Sequence, residues 1–267
     1  MGSRLQTVLL ATYTLWRRDI VRFYRQRSRV IGVVGSPVVF WLLLGSGLGR
    51  SFQGRPIGTS AQDYLQYFFP GTLALIVLFT AIFSTMSVIE DRQVGFMQGV
   101  LVAPVPRTAI VLGKILGGTT LALLQAAMFL VLAPFARLPL TLGALPEVLG
   151  VLAALGLATT GLGFLIAWWL DSTQGFHAIM NLVLIPMWIL SGAVFPASGA
   201  AGWIRAIMLL NPMTYGVTAL RLVLLPDEGP GGPFSLAEPG LTMSLLIVLA
   251  FSAVILAADT GLVRRRH

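Results

Sequence analysis

The sequence predicts an all-α polytopic membrane protein. Of its 267 residues, 56% are hydrophobic and only 10% are charged, whereas soluble domains carry about 25% charged residues. Mean hydropathy is +0.86. The apolar residues also gather into runs of the roughly 20 residues needed to cross a bilayer core.

The elements follow in order. Residues 4–29 are too charged to span. Leu5, Val8, Leu9, Thr12, Leu15, Trp16, Ile20 and Phe23 recur at three- and four-residue steps, while Arg18, Arg22, Arg25 and Arg29 form a basic stripe. Such a helix lies in the membrane interface with its arginines toward anionic headgroups; a direct contact with a partner is compatible with that. We therefore divide the chain into an amphipathic interfacial helix, 1–29, and a six-helix transmembrane domain, 30–267. The expected spans are 30–48, 67–89, 109–135, 145–170, 176–194 and 241–262. Gly156, Gly161 and Gly163 are read as close-packing positions between helices.

Between the last two spans, Pro and Gly cut the apolar stretch into two short helices, 200–210 and 212–225. Asn211 caps the second and Pro212 opens it. The region 195–225 is read as a re-entrant pair, followed by an exposed loop at 226–240.

Charge sets the orientation. Seven arginines precede the first span and three follow the last. Positive residues are retained on the cytoplasmic side, so both termini are expected there, in a cell (inner) membrane. The intracellular pieces plus Lys114 then hold 13 of the 18 Lys and Arg residues. Arg50, Arg55, Arg137, Arg205 and Arg221 fall outside or near the outer interface. A net charge of +8 placed at the chain's ends is a topology signal and does not call for nucleic acid.

Several chemistries are excluded or disfavoured. Zero cysteines and two histidines leave no thiolate or histidine metal site. Gly113-Lys114 is followed by Ile115, and position 108 is Thr, so there is no phosphate-binding P-loop. Ser191 and His177 lie fourteen residues apart, about 21 Å along a helix, which argues against an intramembrane hydrolase. Asp259 is placed one turn from the cytoplasmic end, where the terminal arginines can pair with it. With no acidic residue clearly mid-span, a self-contained carrier or channel lacks its usual coupling group.

The most elaborate loop is 90–118, with coupling loop 90–108. Residues 94–102 are expected to form a short helix exposing Phe96, Met97, Val100 and Leu101, ended by Pro104 and Pro106. Those anchors suit insertion into a partner's groove; an ordinary interfacial loop is the other reading the residues allow.

Two stretches resemble the ABC-2 class of ABC-transporter membrane subunits. One is Glu90-Asp91-Arg92 with Gly95, then Leu101, Ala103-Pro104-Val105-Pro106-Arg107 and Leu112-Gly113-Lys114; Ala103 stands where the family often has Thr. The other is Ser191-Gly192, Phe195-Pro196, Asn211-Pro212, Thr214-Tyr215 and Ala219-Leu220-Arg221. The resemblance implies a subunit with no nucleotide site, working as a homodimer or close heterodimer with two copies of a separate cytoplasmic ATPase that binds ATP and Mg. It assigns coupling to Glu90, Arg92, Gly95, Phe96, Met97, Pro104 and Arg107. It implies substrate contacts on the first, second and fifth spans, with Trp41, Phe68 and Phe69 as weak candidates. Drug and lipo-oligosaccharide exporters are the nearest likeness, with O-antigen and teichoic-acid exporters sharing the architecture.

Overall fold

The computed structural model describes residues 2–25, 32, 35, 37–43, 61–103, 105–138, 140–195, 197, 200–226 and 239–265. Pro104, Pro196, most of the expected first span and most of the loop 226–240 lie outside the described residues.

Helix α1 is Gly2–Arg25. It is followed by α2 (Ala61–Gln93), α3 (Phe96–Val102), α4 (Arg107–Leu130), α5 (Leu145–Trp169) and α6 (Thr173–Trp188). Then come α7 (Gly202–Leu210), α8 (Pro212–Leu224) and α9 (Leu241–Arg265). Residues 37–43 are also helical. No strand occurs among the described residues.

Among the described residues, five helices are long and apolar enough to cross a membrane: α2, α4, α5, α6 with its continuation to Ala193, and α9. The bent pair α7–α8 would make a sixth candidate by length and composition. The bend between them is 85°, and it sits where Asn211 and Pro212 predict a break. The Asn211 side chain accepts from Met213 N, and Pro212 occupies the first turn of α8. The two expected short helices are therefore present.

Some boundaries differ, each for a local reason. Helix α4 ends at Leu130, not 135, because Pro134 has no N–H to continue the ladder. A 3₁₀ turn, Ala133–Ala136, follows instead. Helix α2 runs on through Gln93, so Glu90, Asp91 and Arg92 are helical residues rather than loop. Helix α6 starts at Thr173, capped by the Ser172 hydroxyl accepting from Gly175 N. After Pro186 it loosens into a π-helical turn, Ile189–Ala193, broken at Gly192 (φ 81°).

The core is built around α2. It packs on α4 and α5, α1 runs along α4, and α9 lies against α5 and α8. Small residues allow those approaches. A Cβ on Gly163 would sit 3.0 Å from Ile82 Cα, and one on Gly156 would sit 3.0 Å from the Thr119 methyl. The glycines read as packing positions do pack.

Candidate functional site

The polar chemistry concentrates at one end of the bundle, around α3. Asp91 is fully buried there, where a carboxylate persists only if paired. Four donor contacts meet it. Arg18 grips it with both guanidinium nitrogens, at 2.8 and 2.5 Å. Arg22 reaches it at 2.9 Å, and Lys114 Nζ at 2.6 Å. The bidentate Arg18 contact is the strong planar form of such pairs. Arg22 also spans to Glu90 at 2.7 Å. Lys114, itself buried, closes the network on Asp19 at 3.0 Å and on the Ser87 hydroxyl at 3.1 Å.

Three cations thus face three carboxylates contributed by α1, α2 and α4. Burial pushes the Asp19 carboxyl above its ordinary range, with the neighbouring Lys114 pulling the other way. Hydrogen bonding to Asp91 holds Arg18 above its usual value. The basic stripe predicts Arg18 and Arg22 facing lipid headgroups; in the structure both also hold the acidic pair, with about a third of each side chain left exposed. The apolar side of α1 is divided as well. Leu15 and Phe23 are buried, while Leu5 and Leu9 remain exposed.

Close docking of α1 depends on Gly113, with Gly117 in ordinary contact with the same helix. A Cβ on Gly113 would stand 2.8 Å from Leu15 Cβ and 3.1 Å from the Thr12 carbonyl; one on Gly117 would touch Asp19 at 3.5 Å. The Trp16 indole N–H donates to the Thr120 hydroxyl at 3.0 Å and fastens the same seam.

Two further arginines tie this end to the remaining helices by capping their C-termini. Arg92 donates to the carbonyls of Trp168 and Leu170 at the end of α5, at 3.1 and 3.2 Å, and to Asp171 at 2.9 Å. Arg107 donates to the carbonyls of Val263 and Arg264 at the end of α9, at 3.1 and 3.0 Å. Both satisfy carbonyls that a helix end leaves without partners and complement its negative dipole end.

Helix α3 sits on this frame. Gly95 takes a left-handed conformation (φ 76°), which favours glycine, so the helix starts at Phe96 rather than at 94. That start rotates its faces. Met97 is buried and Val100 is half-buried against the core, so neither is presented outward as the spacing suggested. Val94 and Val102 are the exposed apolar side chains, with Phe96 at the exposed margin. Arg18 lies 3.7 Å over the Phe96 ring, a cation–π contact joining α1 to α3 directly.

At the opposite end, the second motif forms a backbone knot. Gly192 O accepts from the Tyr67 hydroxyl at 2.9 Å and from Arg221 at 3.1 Å, and Arg221 stacks over Tyr67 at 4.4 Å. Arg221 is buried within the protein. Asn211 donates to Met187 O at 2.6 Å and the Ser191 hydroxyl to Trp188 O at 2.6 Å. The Tyr215 hydroxyl donates to Leu209 O at 2.7 Å, and Phe195 packs against Met208 and Ala197. Ser191 is committed to its own helix turn, while His177 lies beside Phe83, ring centroids 5.2 Å apart.

Trp41, Phe68 and Phe69 are all buried, packed with Phe129 and Trp188. Trp41 also donates to Leu65 O at 3.1 Å. These aromatics are core, and burial removes them as direct contacts in this conformation. A cavity of about 550 Å³ opens beside them instead, lined by Pro37, Phe40, Leu75, Phe79, Ile185 and Trp188 among others. Phe40 and Trp188 border both the cavity and those aromatics, and periodicity alone offered no signal for the rest of its lining. Asp259 departs from expectation too. Its carboxylate is fully buried with no hydrogen-bond partner among the described residues, facing Gly161 rather than an arginine.

Comparison with known proteins follows this geometry. Residues 11–225 match the ABC-2 type transporter family. Nodulation protein J of Sinorhizobium fredii is 28% identical, the alignment covering 100% of this chain and 99% of that protein. The daunorubicin resistance ABC transporter permease protein DrrB1 of Streptomyces coeruleorubidus is 26% identical over 84% of this chain and 78% of its own length. The probable multidrug ABC transporter permease YbhR of Escherichia coli is 25% identical over 62% of this chain and 45% of its own.

Proposed function

The chain belongs to the ABC-2 type transporter family, as a multi-pass membrane subunit of an ABC transporter, and we propose that it is the permease of an ATP-driven exporter for hydrophobic or amphipathic cargo. The end carrying α3 faces the cytoplasm of an inner membrane with both termini beside it. Two copies of the chain form the membrane unit. Two copies of a separate ATPase bind ATP and Mg and dock on α3. Residues 1–29 serve as the interfacial helix and 30–267 as the transmembrane domain.

The observation that carries this reading is the mounting of α3. Seven residues of helix are held by the Asp91 cluster, by Arg92 on α5 and by Arg107 on α9, while Val94, Phe96 and Val102 are left at its surface. A push on α3 is thereby delivered to four of the long helices at once. Glu90, Arg92 and Arg107 act as the frame; Phe96 and its exposed neighbours act as the contact.

The cargo class follows from the cavity beside Phe40 and Trp188, whose lining is apolar. Such a surface suits a drug or lipid rather than a charged ion. It favours that class over the polysaccharide substrates of related exporters.

Val102→Asp tests the docking surface without touching the frame, since that side chain is 84% exposed. Together with Phe96→Asp, it is expected to abolish co-purification of the partner ABC ATPase. Membrane insertion should be unchanged. Normal co-purification and ATP-dependent export in both variants would overturn the assignment, as would transport by this chain alone in liposomes without ATP.

A further inference from the structure

We propose that the outward side of α1 carries a binding site for the phosphate of an anionic phospholipid in the leaflet on which α1 lies, and that this headgroup bears on the α3 frame through Arg18 and Arg22. The proposal rests on the reading that α1 lies at the membrane surface.

A shallow groove of about 590 Å³ runs along α1, lined by Tyr13, Arg17, Arg18, Val21, Arg22 and Arg25 among others. Tyr13, Arg17, Val21 and Arg25 follow one another at four-residue steps and so form a single ridge of the helix. Arg18 and Arg22 form the next ridge. The groove therefore brings four guanidinium groups along one side of two turns.

Two of those groups are uncompensated. Asp91, Glu90 and Asp19 are already matched by Arg18, Arg22 and Lys114. Arg17 and Arg25 are exposed, and neither has an ion-pair partner among the described residues. The frame is neutral and the groove is left with two positive charges. Guanidinium forks match phosphate oxygens, so the ligand called for is an anion with an oxygen-rich head.

The neighbouring surface says what that anion is attached to. Leu5, Leu9 and Leu10 are 62–73% exposed within two to three turns of the groove. The leucines precede the arginines along the same two rows of the helix, so the first turns can hold acyl chains and the following turns headgroups. A phospholipid supplies both; an acidic protein surface supplies only the charge.

The site is also wired inward. Arg18 and Arg22 line the groove with 30% and 33% of their side-chain surface exposed, yet both hold Asp91. A bound phosphate draws on the same guanidinium groups that anchor α1 to α2 and α3. Anionic lipid is therefore expected to change the rate at which the assembled transporter responds to ATP.

Native mass spectrometry of the intact purified chain tests this with phosphatidylglycerol and phosphatidylcholine as probes. Wild-type protein should retain phosphatidylglycerol preferentially. The Arg17→Gln/Arg25→Gln variant should bind it about 25-fold more weakly, at roughly fivefold per surface arginine. The Arg17→Lys/Arg25→Lys variant should keep most of the preference. Equal retention by the wild-type and Gln variants would overturn the site. Displacement of the lipid by millimolar inorganic phosphate would overturn the lipid assignment in favour of a free anion. Unchanged lipid retention with lost ATPase capture would give the groove to the partner protein, and so would also overturn it. The lipid readout needs no ATPase, so its failure is separate from failure of the proposed docking at α3.

Discussion

Asp91 and Asp19 share the same lysine yet should respond very unequally to neutralisation. Asp91→Asn leaves Arg18, Arg22 and Lys114 without the carboxylate that all three address. Removing one partner of a buried pair costs about 3–5 kcal/mol. Asp19→Asn removes a carboxylate whose own burial is unfavourable, while Lys114 keeps Asp91, so a change within about 1 kcal/mol is expected. The pH dependence has a definite sign. A carboxyl raised in the folded state binds its proton more tightly there than in the unfolded chain, so stability declines as pH rises through that raised value. Thermal unfolding of wild type compared with Asp19→Asn in one detergent should therefore shift in favour of the variant as pH increases from the ordinary carboxylate range. A shift the other way would mean that the Lys114 attraction outweighs burial. None of this was legible in the sequence, where 68 to 73 residues separate Arg18 and Arg22 from their acidic partners and a basic stripe beside apolar residues reads equally well as a lipid-facing one.

Individual elements divide into those with local signals and those with only distant ones. Asn211-Pro212 is a local signal: a cap and a proline at the first turn specify a helix start whatever surrounds it, and α8 begins there. The long spans were legible for the same reason, since apolar length is a property of the segment alone. Helix α3 was legible as an element but not in its facing. A left-handed Gly95 shifts the start by two residues, and Met97 then points inward. The docking of α1 was less legible still, because it depends on a glycine about a hundred residues away, Gly113. Gly113→Val puts side-chain atoms where Leu15 Cβ and the Thr12 carbonyl already lie. That backbone-limited contact cannot relax by a rotamer change. The expected outcome is release of α1 with α4 intact: hydrogen exchange rising across Gly2–Arg25 at least tenfold, and little change across the second half of α4. Gly99→Val, where a Cβ would meet nothing within 4 Å, is the control that should leave α1 protected.

For the molecule as a whole, the apolar surface that remains uncovered is uneven. The most hydrophobic windows of α2 and α4 are 72% buried and that of α5 is 61% buried, but the figures for α6 and α9 are 39% and 22%. Lipid can cover either helix, so exposure alone does not choose between them. The cavity does: Ile185, Trp188 and Ile189 of α6 and its continuation line it, whereas no residue of α9 borders it. A second copy seated against α6 would enclose the cavity between two chains; one seated against α9 would leave it open to the bilayer. A two-fold interface brings residues near its axis against their own copies, and Leu182 is the most exposed large hydrophobic side chain on α6. Because the chain has no cysteine, Leu182→Cys introduces a single thiol. Disulfide formation needs Cα atoms within about 7 Å, so mild oxidation of membranes should cross-link this variant into a dimer. The matched variant Leu249→Cys on α9, also exposed, should stay monomeric. A cross-link at 249 and none at 182 would move the interface to α9 and leave the cavity facing lipid, which would recast it as a lateral opening for cargo drawn from the membrane.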